Sequence, residues 1–154
     1  MDFTAKIKQA MQDLDNGYNC AQSVFRQFCE EFGLSKDFGT RVSAGFGTGL
    51  KMARTCGALS GGVMAIGLMH GNTSEDCDAK ENLNDLIIQF IAYFKEAYQT
   101  TDCRDLLGID ISKPGNRMKA RESGVMDKMC PQCITTAIGI IQKIEENIDN
   151  QLNS

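Results

Sequence analysis

The sequence predicts an all-α fold, a single-domain helical bundle of about six to eight helices spanning residues 1–154, and three observations carry that expectation. Apolar residues recur at three- and four-residue spacing along nearly the whole chain, which is the helical period. No stretch alternates apolar and polar residues for long enough to form a half-buried strand. A chain of 154 residues suits one core, burying about 68–70% of the surface that its unfolded form exposes. No repeat, low-complexity tract or linker divides it.

Phe3, Ile7, Ala10, Met11 and Leu14 form the first apolar stripe, with Gly17 as a stop just beyond it. Ala21, Val24, Phe25, Phe28 and Phe32 form the second, which Gly33 ends. A shorter helix is expected after Ser35, running toward Ala44 with Val42 facing inward. Beyond the glycine-rich stretch Gly45-Phe46-Gly47-Thr48-Gly49 comes a buried helix from about Cys56 to His70. Leu83, Leu86, Ile87, Phe90, Ile91, Phe94, Ala97 and Tyr98 share one face of what should be the longest amphipathic helix. Asp102 to Lys128 is less regular: a short helix over Arg104 to Leu107, a loop through Pro114-Gly115, then a polar helix. The last helix repeats the pattern with Ile134, Ala137, Ile138, Ile141, Ile144 and Ile148, and Asp149 to Ser154 should fray.

Composition narrows the function. Sixteen basic against twenty acidic residues give a net charge of -4, which argues against a nucleic-acid partner. The single histidine excludes multi-histidine metal sites within the chain. His70 lies beside Gly71 at a helix end, where a C-terminal cap is favoured over a ligand. The most apolar run, Ala58 to Met69, is about a dozen residues against the roughly 20 needed to cross a bilayer. No membrane insertion is therefore expected. The first residues show no basic segment followed by an apolar one, so no secretory signal is read. The expected compartment is cytoplasmic, where thiols stay reduced and grouped cysteines point to metal or redox chemistry. Gly45-x-Gly47-x-Gly49 lacks the preceding strand and the Gly-Lys-Ser/Thr of a phosphate loop.

The seven cysteines are then the first suspects, and their placement sorts them. Asn19, Thr55 and Asp102 are N-cap candidates that put Cys20, Cys56 and Cys103 at helix starts. Cys130 precedes Pro131, and proline favours the first helical turn, so Cys130 is expected at or beside the N-cap of the last helix. Unpaired N–H groups and the positive end of the helix dipole favour a thiolate at such positions. The competing account is that free cysteine packs as a small hydrophobe. Cys29, one turn after Phe25, fits that account, and Cys77 between Asp76 and Asp78 reads as incidental. Cys130-Pro131-Gln132-Cys133 is a Cys-x-x-Cys, a spacing shared by disulfide oxidoreductases and metal knuckles. In Cys56-Gly57-Ala58-Leu59-Ser60-Gly61-Gly62, small residues admit either a neighbouring backbone or a bulky inorganic group. Lys51, Arg54 and Arg104 stand beside these cysteines, as charge compensation or as solvated side chains.

Asn19-Cys20-Ala21, the Cys56-Gly57-Ala58-x-x-Gly61 motif, Cys103 and Cys130, in this order, resemble the C_GCAxxG_C_C family. Its members are small bacterial and archaeal proteins described as redox-active and named for four cysteines. The resemblance runs from about Gly17 to Cys133. It includes Ala44-Gly45-Phe46-Gly47 before the motif and Cys103-Arg104-x-Leu106-Leu107-Gly108 after it. It implies that Cys20, Cys56, Cys103 and Cys130 make the site, and it leaves Cys133 as an addition to the pattern. A related domain of split-Soret-type cytochromes implies electron-transfer company and an iron–sulfur group. No haem is expected, since no Cys-x-x-Cys is followed by histidine.

The first functional expectation is a redox-active protein in which Cys20, Cys56, Cys103 and Cys130, with Gly57 alongside, bind an iron–sulfur cluster or other metal for electron transfer. Zinc in a four-cysteine site is the close competitor. The second is thiol–disulfide exchange by Cys130 and Cys133, or by two of the distributed thiols. The third is a helical interaction module with structural zinc or packed cysteines. A redox partner protein is expected under the first reading, and the Phe-rich second helix is compatible with a homodimer.

Overall fold

The structure, a computed structural model, describes residues 1–71 and 75–154. Among the described residues it contains eight α-helices and no strand. They are α1 (Phe3–Asp15), α2 (Cys20–Cys29), α3 (Lys36–Ser43), α4 (Gly57–His70), α5 (Cys77–Tyr98), α6 (Cys103–Leu107), α7 (Asn116–Glu122) and α8 (Val125–Leu152). The fold is all-α, as the helical periodicity predicts.

Local chemistry sets the boundaries of the first helices. Asp2 caps α1 by accepting the Ala5 amide at 3.0 Å, and Gly17 beyond it sits at φ +92°. Asn19 and Gln22 form a reciprocal capping box at the start of α2. Ser35 caps α3 by accepting from Phe38 at 3.1 Å. α2 packs most extensively on α4, and α8 runs against α1, α2, α4 and α5. Phe28, Phe90, Phe94, Ile66, Ile134, Ile138 and Ile141 are buried where these helices meet. Lys6 of α1 crosses to α2 and the turn that follows it, donating to the Gln27 carbonyl at 2.6 Å and to Glu31 at 2.8 Å.

Five expectations are corrected. Val42 is 44% exposed; α3 instead buries Gly39 and Ser43. A Cβ on Gly39 would stand 2.5 Å from Cys29 Sγ, so the small face of α3 presses on α2 and Val42 is left outside. The longest helix is α8, with 28 residues, and not α5 with 22. It continues through Asp149 to Leu152 where fraying was expected. It also begins at Val125, five residues before Cys130, because Gly124 at φ +75° supplies the start. Pro131 therefore lies inside the helix, where it removes one backbone hydrogen bond. Finally, the His70 ring does not cap α4; it meets Glu145 of α8 at 2.6 Å.

The segment before α4 takes an unusual path. Thr48, Gly49, Leu50 and Lys51 all have positive φ, between 56° and 61°, and Ala53 follows at 52°. Four consecutive residues thus make a left-handed turn, a conformation that costs non-glycine residues roughly 1–2 kcal/mol each. The Arg104 guanidinium bonds the carbonyls that leave this turn, Nη2 to Met52 at 3.1 Å and Nε to Ala53 at 3.3 Å. Buried Ala53 joins Leu107, Ile111 and Ala120 in a second, smaller apolar cluster.

Candidate functional site

Cys56 and Cys103 are brought together by backbone. The Cys56 amide donates to Thr101 O at 2.8 Å, and the Cys103 amide donates to Arg54 O at 2.6 Å. Between them Thr55 and Asp102 form an isolated antiparallel bridge. Thr55 is therefore bridge backbone, and Cys56 itself is the N-cap residue of α4. Asp102 precedes α6 without a side-chain cap and pairs with Arg54 at 3.4 Å.

Cys20 is placed by its neighbour. The Asn19 side chain accepts from Gln22 N at 3.0 Å and donates to Ala44 O at 3.0 Å, tying the start of α2 to the glycine-rich stretch. A Cβ on Gly47 would stand 2.5 Å from Asn19 Cγ. The glycine there makes room for Asn19. In the same way a Cβ on Gly57 would stand 3.1 Å from Cys20 Cβ, so Gly57 lets the start of α4 lie against Cys20.

Cys130 and Cys133 are one turn apart within α8, so both face the same side of that helix. They do not act on each other first. Cys130 couples to Cys20, and Cys133 couples to Cys56. All five thiols, Cys20, Cys56, Cys103, Cys130 and Cys133, line one cavity of about 450 Å³, and Gly57 lines it too. The cavity lies between the two apolar clusters. All five are free thiols. Among the described residues no three Cys, His, Asp or Glu side chains converge in the manner of ligands on a single ion.

In each pair one thiol is shifted down and its partner up. Contact with Cys133 lowers Cys56, assisted by the amides of Ala58 and Leu59 at the start of α4, against the effect of burial. Contact with Cys20 lowers Cys130 against burial. The partners move the other way. Cys20 is raised first by Cys130 and then by burial, and Cys133 first by Cys56 and then by burial. Cys103 is pushed up to about 12 by burial, with Cys56 and Cys130 adding to the effect. Of the thiols at helix starts only Cys56 is lowered, and there the amides assist the larger effect of Cys133. Cys130 is lowered without occupying a helix start, and Cys20 and Cys103 occupy one and are raised.

The other cysteines lie elsewhere. Cys29 is buried and donates to the Phe25 carbonyl, as the packing account expects. Cys77 is exposed at the first position of α5, capped by Asp76. Three features of the site were not read from the sequence. Tyr98 contacts Cys133 and holds Thr136 at 2.8 Å. Arg117 and Arg121 line the cavity, whereas Arg54 and Arg104 are engaged with Asp102 and Asp110. Arg117 and Arg121 are four residues apart on a short helix, which places them on one face, but only its packing on α8 turns that face to the thiols. No helix among the described residues is long and apolar enough to cross a membrane.

No curated protein matches the chain, and no solved structure matches it. A family model does, over residues 18–144, under the description "Putative redox-active protein (C_GCAxxG_C_C)". The match takes in all five cavity cysteines, from Cys20 to Cys133, and with most of its length so covered the chain belongs to the C_GCAxxG_C_C family.

Proposed function

We propose that the thiol cavity holds an iron–sulfur cluster for electron transfer, with Cys20, Cys56, Cys103 and Cys130 as its ligands. The observation that carries this reading is the gathering of five sulfurs, from α2, the start of α4, α6 and α8, around one cavity. Soft thiolates select iron–sulfur clusters, zinc and copper(I) over harder ions. A single zinc ion needs four sulfurs converging about 2.3 Å from one centre. Thiols spaced around a roomy cavity suit an extended group better, and that favours a cluster over zinc. Such a group supplies one-electron transfer when bound. The protein's own part is to lower Cys56 and Cys130 toward the thiolate form that a ligand needs, to wall the cavity with side chains such as Leu106 and Ile111, and to set Cys133 beside the Cys56 sulfur. Hydrogen bonds to ligand sulfur tune reduction potential, which gives the added cysteine a role. Protein purified without oxygen should show visible absorbance together with iron and sulfide. Zinc alone would convert the reading to a structural site, and colourless, metal-free, folded protein would sink both.

The two pairs, each with one thiol lowered and one raised, favour a second reading, thiol–disulfide exchange. Either Cys20 with Cys130 or Cys56 with Cys133 would lose two electrons and two protons to an acceptor disulfide, forming one S–S bond while the acceptor becomes two thiols. The pairing moves this reading away from Cys130 with Cys133. Peptide mapping after mild oxidation decides it, since a Cys130–Cys133 link or no link at all would contradict these pairs.

A further inference from the structure

Arg117 and Arg121 are exposed and also line the thiol cavity, so they stand at its mouth. They belong to a segment, residues 113–128, that departs from the charge of the chain. It holds Lys113, Arg117, Lys119, Arg121 and Lys128 against Glu122 and Asp127, in a protein whose net charge is -4. All five basic side chains are exposed. Among the described residues none of them enters an ion pair, while Lys6, Arg26, Lys36, Arg41, Arg54 and Arg104 all do. Amid them on α7, Met118 is 66% exposed. An unpaired cationic rim around an exposed apolar residue is the surface that an acidic partner complements, since opposite potentials steer encounter and fix orientation. It also borders the opening through which the thiols are approached.

We propose that α7 and the first turn of α8 form the docking face for an acidic electron-transfer protein. This rests on the redox reading of the cavity and adds the place and charge of the partner. Electrons leaving through this mouth meet a positive local field, although the molecule as a whole is negative.

Two small oxidants of opposite charge test it. Hexacyanoferrate(III) and hexaammineruthenium(III) each accept one electron from the reduced site, becoming the iron(II) and ruthenium(II) complexes; a dithiol oxidised to a disulfide consumes two equivalents and releases two protons. The anionic oxidant should react faster at low ionic strength and slow by about tenfold as salt is raised, because screening removes steering. Replacing Arg117, Lys119 and Arg121 together with Gln should abolish that slope, and replacing the remote Lys8, Lys80 and Lys95 should not. A wild-type rate that rises with salt, as the net charge alone dictates, would overturn the proposal. So would a slope that responds only to the remote variant. If neither oxidant takes electrons, the redox reading itself fails and the proposal with it. The same face can be read without electron transfer, by amide NMR shifts during titration with an oligoglutamate peptide. Shifts concentrated in residues 113–128 support the proposal. Shifts spread over the surface, or much tighter binding of an RNA oligonucleotide of equal charge, contradict it.

Discussion

Cys130 and Cys20 show at the scale of single residues how one contact shifts two thiols in opposite directions. Their contact lowers Cys130 and raises Cys20, so the two shifts are one interaction seen from both ends. In reduced, metal-free protein, Cys130 should alkylate at a pH below the ordinary thiol range. Cys20→Ala should move that midpoint upward by removing the donor, and Cys130→Ala should move the Cys20 midpoint downward. Alkylation followed peptide by peptide reads both, and an unmoved Cys130 in the first variant would refute the pairing. Cys103 makes the complementary case. Raised from 9.0 to about 12, it stays protonated in the folded state while the unfolded chain releases its proton. Its contribution to stability is whole below pH 9.0 and is lost as pH climbs toward about 12. Urea unfolding across that window should show declining stability, and Cys103→Ala should make the decline shallower.

Among the elements, α4 shows why its motif is rich in glycine. A Cβ on Gly61 would stand 2.7 Å from the Ala21 carbonyl and 3.0 Å from Val24 Cβ, and one on Gly62 would strike the Phe90 ring. Backbone cannot yield as a side-chain tip can, so Gly61→Ala should cost about 1–3 kcal/mol. Gly67 on the same helix has open space, and Gly67→Ala should be neutral or stabilising by up to about 1 kcal/mol. Equilibrium unfolding of the two variants side by side checks the contrast. The packing explanation of Gly61 and Gly62 is therefore sufficient, and of the three motif glycines only Gly57 borders the cavity. The left-handed turn before α4 depends on an arm from α6. Arg104→Ala leaves the Met52 and Ala53 carbonyls without their donor and should cost about 1–2 kcal/mol, after allowance for the partly solvated guanidinium. Arg104→Lys should recover less than half of this loss, because one ammonium cannot fork across two carbonyls.

Over the whole molecule, the cavity ties together residues as far apart as Cys20 and Cys133. A group held there binds the folded chain and not the unfolded one, so under the cluster reading it should contribute directly to stability. Anaerobic removal of metal should lower the melting temperature, and Cys56→Ser should erase the difference between metal-replete and stripped protein. An identical melting curve before and after removal would count against a group bridging α2, α4, α6 and α8.

The sequence by itself determined the helical class, most helix boundaries and the four cysteines of the motif. These are local properties: apolar spacing, capping residues such as Asn19 and Ser35, and stops such as Gly17 and Gly33 act within a few residues of themselves. Tertiary structure decided which sulfurs meet. Three of the four supposed helix-start thiols, Cys20, Cys56 and Cys103, were placed well. Cys130 was misplaced because Pro131 looked like a beginning while Gly124, in its left-handed conformation, was the actual one. The displacement matters chemically. Inside a continuous helix, Cys130 and Cys133 lie on one face as a ladder and reach Cys20 and Cys56 on two different elements. That turns a sequence-local Cys-x-x-Cys into half of two long-range pairs. Contacts between helices also turned Arg117 and Arg121 toward the thiols and left Arg104 holding backbone. Such partnerships depend on how faces pack across the core, and no spacing within one segment encodes them.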